Sequence, residues 1–282
     1  MTIELKNNVY RDGDGIPVVL VHGFPVDHRM WDQCAVALAR TADEHGMRHF
    51  PIWAPDMPGA GEGPIPSDEA SGGKDADGAF PYALDRMADA YVDMLHDAGY
   101  DKAVWVGLSM GGYLILDIQR LHPEAVAALA LCDTKADADS AQMRLNRVAI
   151  AQECEATGTH EPVMGFAVAS ENDSTVKQSD EYCQQFSRWI SEQPAEGIAW
   201  RERMAAGRPD LNDVLPRITV PVSVICGDKD PSSPPSTMAL LADAMTGTAV
   251  DMTVVFDCGH FSAYEHPEAV ADALLGLVRH VE

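Results

Sequence analysis

The sequence predicts an α/β protein, a mostly parallel sheet flanked by helices, and three observations lead there. Short β-rich apolar runs alternate with segments of helical periodicity. The runs are apolar at nearly every position, as strands buried on both faces are. The chain is also long enough for a large core: of 282 residues, 46% are hydrophobic and 23% charged, an ordinary globular balance.

In chain order, "PVVLVHG" (17–23) and "HFPIWAPD" (49–56) are the first two strand candidates. Residues 60–80, "AGEGPIPSDEASGGKDADGAF", are rich in Gly, Pro, Ser and acid, which predicts a mobile surface loop. "ALDRMADAYVDMLHDAG" (83–99) sets Leu84, Met87, Ala88, Tyr91, Met94 and Leu95 on one helical stripe and ends in glycine. "KAVWVGLS" (102–109) is the next strand, and a helix follows from Met110 to Leu121, stopped before Pro123. "AVAALALCD" (125–133) is again a strand. Residues 134–213 then show helical patterns without a convincing strand; inserted between two strands, they read as a cap over the carboxyl edge of the sheet, where open α/β folds bind ligands. "VPVSVICGD" (220–228) and "DMTVVFDCG" (251–259) complete the strands, and a helix opened by Pro267 closes the chain.

Bulk properties narrow the function. A net charge of −24 repels nucleic acid and anionic lipid surfaces, so neither is an expected partner. No apolar run approaches the roughly 20 residues that cross a bilayer, and the start, "MTIELKNNVYRDGDG", has neither the basic end nor the apolar region of a secretory signal, which predicts a cytoplasmic protein. The six cysteines are scattered without C-x-x-C pairing and read as free core thiols.

The chemistry starts at "GLSMG" (107–111). Glycine, serine and glycine at alternate positions are weak evidence alone, but here a strand runs into Gly107 and a helix leaves Met110, the setting of a sharp nucleophile-bearing turn. A serine hydroxyl is a poor nucleophile at neutral pH and needs a histidine base oriented by a carboxylate. Of the later histidines, His122, His160 and His266 have surface or capping explanations, whereas His260 follows the last strand at the sheet's carboxyl edge. Asp230, after "VSVICGDK", leads as the acid; Asp228 on the same loop and Asp133 at an earlier strand end are the alternatives, and Asp257 reads as a turn residue. Two backbone N–H groups must meet the developing oxyanion. Met110, at the start of a helix, supplies one, and Phe24 in "HGFP" the other; His22 precedes the serine and reads as structural.

The segments "HGFPVDHRMWD", "PDMPGAGEG", "GLSMGGY", "GDKDPSSPP" and "GHFSAYEHPEAV" occur in the order seen in the α/β-hydrolase superfamily, which the chain resembles over nearly its whole length. Within it, the chain looks most like 3-oxoadipate enol-lactonases and cofactor-free haloperoxidase-like esterases. The resemblance implies an eight-stranded, mostly parallel sheet, with a helical cap (134–213) inserted after strand 6 into a core of residues 1–133 and 214–282. It implies Ser109 as nucleophile, Asp230 as acid, His260 as base, and Phe24 and Met110 as oxyanion donors. The loop at 60–80 is longer than such proteins commonly carry.

These readings predict a serine hydrolase that cleaves a small carboxylic ester or lactone through an acyl-enzyme, without metal or organic cofactor. C–C bond cleavage and perhydrolase chemistry use the same triad, and a hydrolase-like binding protein is the alternative from another class. Dehalogenase and epoxide hydrolase readings need an aspartate where Ser109 stands. Met143, Met164, Phe166, Trp189, Trp200 and Met204 are candidate pocket residues in the cap, with Trp31 beside the first loop. Arg144, Arg147 and Arg188 are the candidates for holding a substrate carboxylate.

Overall fold

The computed structural model describes residues 3–281, so residues 1, 2 and 282 of the expected core lie outside the described residues. Its sheet is built from β1 (Val9–Arg11), β2 (Val18–Val21), β3 (Ile52–Trp53), β4 (Ala103–Leu108), β5 (Val126–Cys132), β6 (Val222–Gly227) and β7 (Val250–Val255). The order across the sheet is β1-β3-β2-β4-β5-β6-β7, with only β1 antiparallel to its neighbour. The six predicted strands are β2 to β7. Pro51 and Pro55 cut β3 to two residues, because proline cannot donate to a ladder.

Seven strands are found among the described residues where eight are expected. The residues ahead of β1 include Asn7 and Asn8, poor strand formers, and contribute only an isolated bridge between Lys6 and Asp56. The helical insertion consequently follows the fifth strand rather than the sixth.

Helices flank the sheet. α1 (Asp32–Glu44) packs on α9 (Pro267–Val278), and α2 (Ala83–Asp97) packs on α3 (Met110–Leu121). The α2 stripe is buried as predicted except at Met94, which is half-buried. Between β5 and β6 run α4 (Ala141–Thr157), α5 (Asp180–Glu192) and α6 (Ala195–Gly207), with α4 packed on α6. α7 (Pro235–Ala244) and the short α8 (Ser262–Glu265) complete the set.

Residues 60–80 are irregular, as predicted, but they are not a free surface loop. Arg144 on α4 grips Asp75 and Asp77 at 2.6 Å each, Trp200 on α6 donates to the Ser71 hydroxyl at 2.8 Å, and the Phe80 N–H donates to the Arg203 carbonyl at 3.0 Å. Ala70, Ala79 and Phe80 in this polar stretch are buried, whereas Ile65 is exposed. Composition registered the polarity of the segment and missed these anchors. All six cysteines are free thiols, five of them buried.

Candidate active site

The topology makes the site. β3 lies on one side of β2 and β4 on the other, so the chain reverses direction across the sheet between β2 and β4, and a crevice opens at their carboxyl ends. Phe24 follows β2, and Ser109 stands between β4 and α3. The turn at Ser109 is tight enough to force its backbone to φ 54°, ψ −112°, a left-handed conformation costly for a residue with a Cβ. Glycine is required on both sides: a Cβ at Gly107 would stand 2.3 Å from the Gly111 carbonyl oxygen, and one at Gly111 2.2 Å from that of Val21. Cys132 at the end of β5 accepts the Ser109 N–H at 2.9 Å, and Thr134 donates its hydroxyl to the Ser109 carbonyl at 2.7 Å.

The parallel strands carry the remaining groups to the same edge. Asp230 lies on the loop after β6 and His260 on the loop after β7. His260 Nδ1 and Asp230 Oδ2 are 2.8 Å apart, and His260 Nε2 and Ser109 Oγ are also 2.8 Å apart. An ionised carboxylate only accepts, so Nδ1 carries the proton and Nε2 is left to accept from the serine hydroxyl. Burial by itself lowers the His260 pKa, but the charge and hydrogen bond of Asp230 outweigh it and hold the ring above its ordinary value of 6.5.

The other sequence candidates are placed as follows. Asp133, in the left-handed region at φ 45°, accepts from the Gly227 N–H at 2.9 Å and from the Ser262 hydroxyl, tying the loop that bears Asp230 to the one that bears His260. Complete burial, reinforced by the neighbouring Asp230 charge, pushes its pKa up to about 8. Asp228 accepts the Cys258 N–H, and Asp257, a turn residue at φ 52°, holds Lys229 and Thr175. His22 accepts the Met57 N–H at Nε2 and donates from Nδ1 to the Gly23 carbonyl, and burial pushes its pKa down to about 4. It is a neutral brace under the Phe24 loop. His122 pairs with Asp89, His160 meets the Gln193 carbonyl, and His266 meets that of Asp257.

Ser109 and His260 open into a cavity of about 130 Å³, below the roughly 300–1,000 Å³ of sites for drug-sized ligands. Phe24, Met110, Tyr113, Met143 and Phe166 form its apolar wall. Among the described residues, neither the Phe24 nor the Met110 N–H has an acceptor within the protein.

Five pocket expectations are corrected. Trp31 is fully buried in the core, Met164 faces an outer groove beside Arg188, and Trp189 packs against Phe186 and Tyr264 beneath the Arg29 guanidinium. Tyr182, Phe186 and Trp189 form a stripe on α5 that faces α8 and Phe261, not the cavity. Trp200 and Met204 are likewise buried on α6 and do not line the cavity. Sequence reasoning also missed four lining residues, Tyr113, Lys135, Ser232 and Ser233. Lys135 stands among acids in "CDTKADAD", a lone cation just beyond a strand end, and that was the available signal.

Of the three arginines proposed to meet a substrate carboxylate, only Arg147 reaches the cavity, and it is held by Asp139 and Glu202. Arg144 is spent on Asp75 and Asp77, and Arg188 meets Gln185 beside the outer groove. Asp27, His28 and Asp56 converge closely enough to hold a metal ion, but Arg29 and Gln193 occupy Asp27 and His28 occupies Asp56, a self-satisfied ion-pair cluster.

A strand-to-helix serine at the switch point of this sheet defines a hydrolase-type α/β architecture. Residues 18–273 match the model of the alpha/beta hydrolase family, and the chain belongs to that family. A thermophilic esterase from Thermogutta terrifontis, solved with malate bound, is 31% identical and superposes with a TM-score of 0.81 over 99% of this chain and 94% of that one. The enol-lactonase of Burkholderia xenovorans LB400 shares the fold at 21% identity, with a TM-score of 0.78 over 98% of this chain and 97% of its own. A pimeloyl-[acyl-carrier protein] methyl ester esterase of Neisseria meningitidis serogroup C is 26% identical over 270 residues, 90% of each chain. No described helix is long and apolar enough to cross a membrane.

Proposed function

We propose that the protein is a serine hydrolase of small carboxylic esters or lactones, with residues 134–213 acting as a cap on a core of residues 1–133 and 214–282. The observation that carries this reading is the unbroken relay Ser109 Oγ, His260 Nε2, His260 Nδ1, Asp230 Oδ2, with 2.8 Å at both hydrogen bonds, opening into a small cavity. Esterase and lactonase activities among the similar proteins support it.

In this reading Ser109 Oγ attacks the substrate carbonyl as its proton passes to His260 Nε2, while Asp230 steadies the imidazolium. The Phe24 and Met110 N–H groups receive the oxyanion, Met110 from the positive end of α3. Collapse expels the alkoxide, which takes the proton from Nε2, and water then releases the acyl group by the same steps. Hydrolysis of p-nitrophenyl acetate, butyrate and octanoate by the wild type and by Ser109→Ala tests the proposal. Turnover of the short esters with a loss on the order of 10⁴-fold in kcat for the variant is expected. Equal rates in the two proteins would remove Ser109 as nucleophile, and fastest turnover of octanoate would overturn the small-substrate reading.

A further inference from the structure

The cavity contradicts the charge of the chain. Asp and Glu outnumber Lys and Arg by 44 to 20, yet among the described residues no carboxylate lines the cavity, whereas Lys135 and Arg147 both do. The two cations are not equivalent. Arg147 belongs to a balanced set in which it and Arg208 face Asp139 and Glu202, two charges of each sign, so it has none to spare. Lys135 is half-buried and, among the described residues, has neither an ion pair nor a hydrogen bond. An ammonium partly removed from water without a counterion is unfavourable, and an anion entering the cavity supplies what it lacks.

The position is also rigidly referenced to the nucleophile. Thr134, the residue before Lys135, is hydrogen-bonded to the Ser109 carbonyl at 2.7 Å, and Asp133 before it is anchored to the Gly227 N–H. Ser232 and Ser233 line the same space, and serine hydroxyls can complete the coordination of a carboxylate.

Resting on the hydrolase reading above, we infer that Lys135 is a specificity-determining residue that binds a free carboxylate on the substrate. The substrate class is then a short ester or lactone carrying a second, ionised acid group, such as a hemi-ester of a short dicarboxylic acid. The volume of about 130 Å³ keeps the two functional groups only a few carbons apart.

Two measurements test this. The first is the ratio of kcat/KM on mono-p-nitrophenyl glutarate to that on p-nitrophenyl valerate, its uncharged analogue of similar length. Lys135→Met is expected to lower the ratio on the order of 10- to 100-fold, chiefly through KM, the worth of one charge-assisted hydrogen bond. Lys135→Arg should restore most of it, which separates charge from packing, and added salt should shrink the wild-type preference. The second is calorimetric binding of glutarate to Ser109→Ala with and without Lys135→Met, which needs no turnover; weakening by tenfold or more is expected. Lys135-dependent glutarate binding in a protein that hydrolyses no ester keeps the anion site and overturns the hydrolase reading. Ester hydrolysis with an unchanged ratio and unchanged glutarate binding overturns the anion site and leaves the hydrolase reading standing. Inert esters with glutarate binding indifferent to Lys135 overturn both.

Discussion

The carboxyl edge of the sheet and the helical segment between β5 and β6 face each other across one cavity, but they are built on different terms. At the edge, Ser109, Asp230 and His260 sit on turns whose positions are set by backbone pairing of parallel strands, and each side chain is held by one or two short hydrogen bonds. In the helical segment, placement comes from side-chain packing: the Tyr182, Phe186 and Trp189 stripe against Phe261 and Tyr264, and the buried ion pairs of Arg147 and Arg208. Changes at the edge should therefore remove chemistry while sparing stability, and changes in the helical segment should do the reverse.

The sharpest test of that division is Asp230→Asn. An amide can donate to Nδ1 and so stabilise the tautomer with its proton on Nε2, which cannot accept from Ser109; kcat should fall on the order of 10³- to 10⁴-fold, with little change in Tm. The same variant tests the electrostatics. In the proposed mechanism His260 must be neutral to act as base, so wild-type kcat/KM should rise with pH through an inflection above 6.5, and the inflection should move down when the Asp230 charge is removed. An inflection that stays in place would assign the limb to another group.

On the opposite wall, Arg208→Met strips a buried cation from Asp139 and from the Tyr113 ring, whose centroid lies 4.2 Å from its guanidinium carbon. A loss of about 3 kcal/mol is expected, on the order of 5–10 °C in Tm; an activity loss larger than the stability loss would blur the division. Asp133 lies between the two regions. Its folded pKa is raised to about 8, so the native state holds a proton that the unfolded chain releases near 3.8, and stability should decline as pH rises from about 4 towards 8. Asp133→Asn, permanently neutral, should flatten that decline in Tm measured at pH 5 and pH 8. The smallest effect belongs to Arg144→Ala, a partly exposed bridge to Asp75 and Asp77, at about 1 kcal/mol or less; protease cutting within residues 60–80 should nevertheless quicken, because that bridge is one of few tethers there.

The same contrast explains what was legible in the sequence. The strands, the Ser109 turn and the strand-end positions of Asp230 and His260 are local signals, and parallel topology carries local signals to one edge. Trp31, Met164 and Trp189 carried the right chemistry for a pocket wall, but which way they face depends on how far each helix is rotated against its neighbours, and that is decided by contacts distant in sequence. Lys135 went unread for a related reason. Its significance is the absence of a counterion, and that emerges only once Asp137 and Asp139 are seen to turn to Asn212, Arg147 and Arg208.

The left-handed backbone at Ser109 has a consequence beyond the proposed catalysis. A residue with a Cβ at φ 54°, ψ −112° costs about 1–3 kcal/mol, more than the roughly 0.5–1 kcal/mol of extra chain entropy that glycine loses on folding. Ser109→Gly should therefore melt above Ser109→Ala, although both lack the hydroxyl. A population of variants sorted only for heat resistance would drift at this position toward glycine and become sturdier and inert; the serine persists only while something selects for what it does.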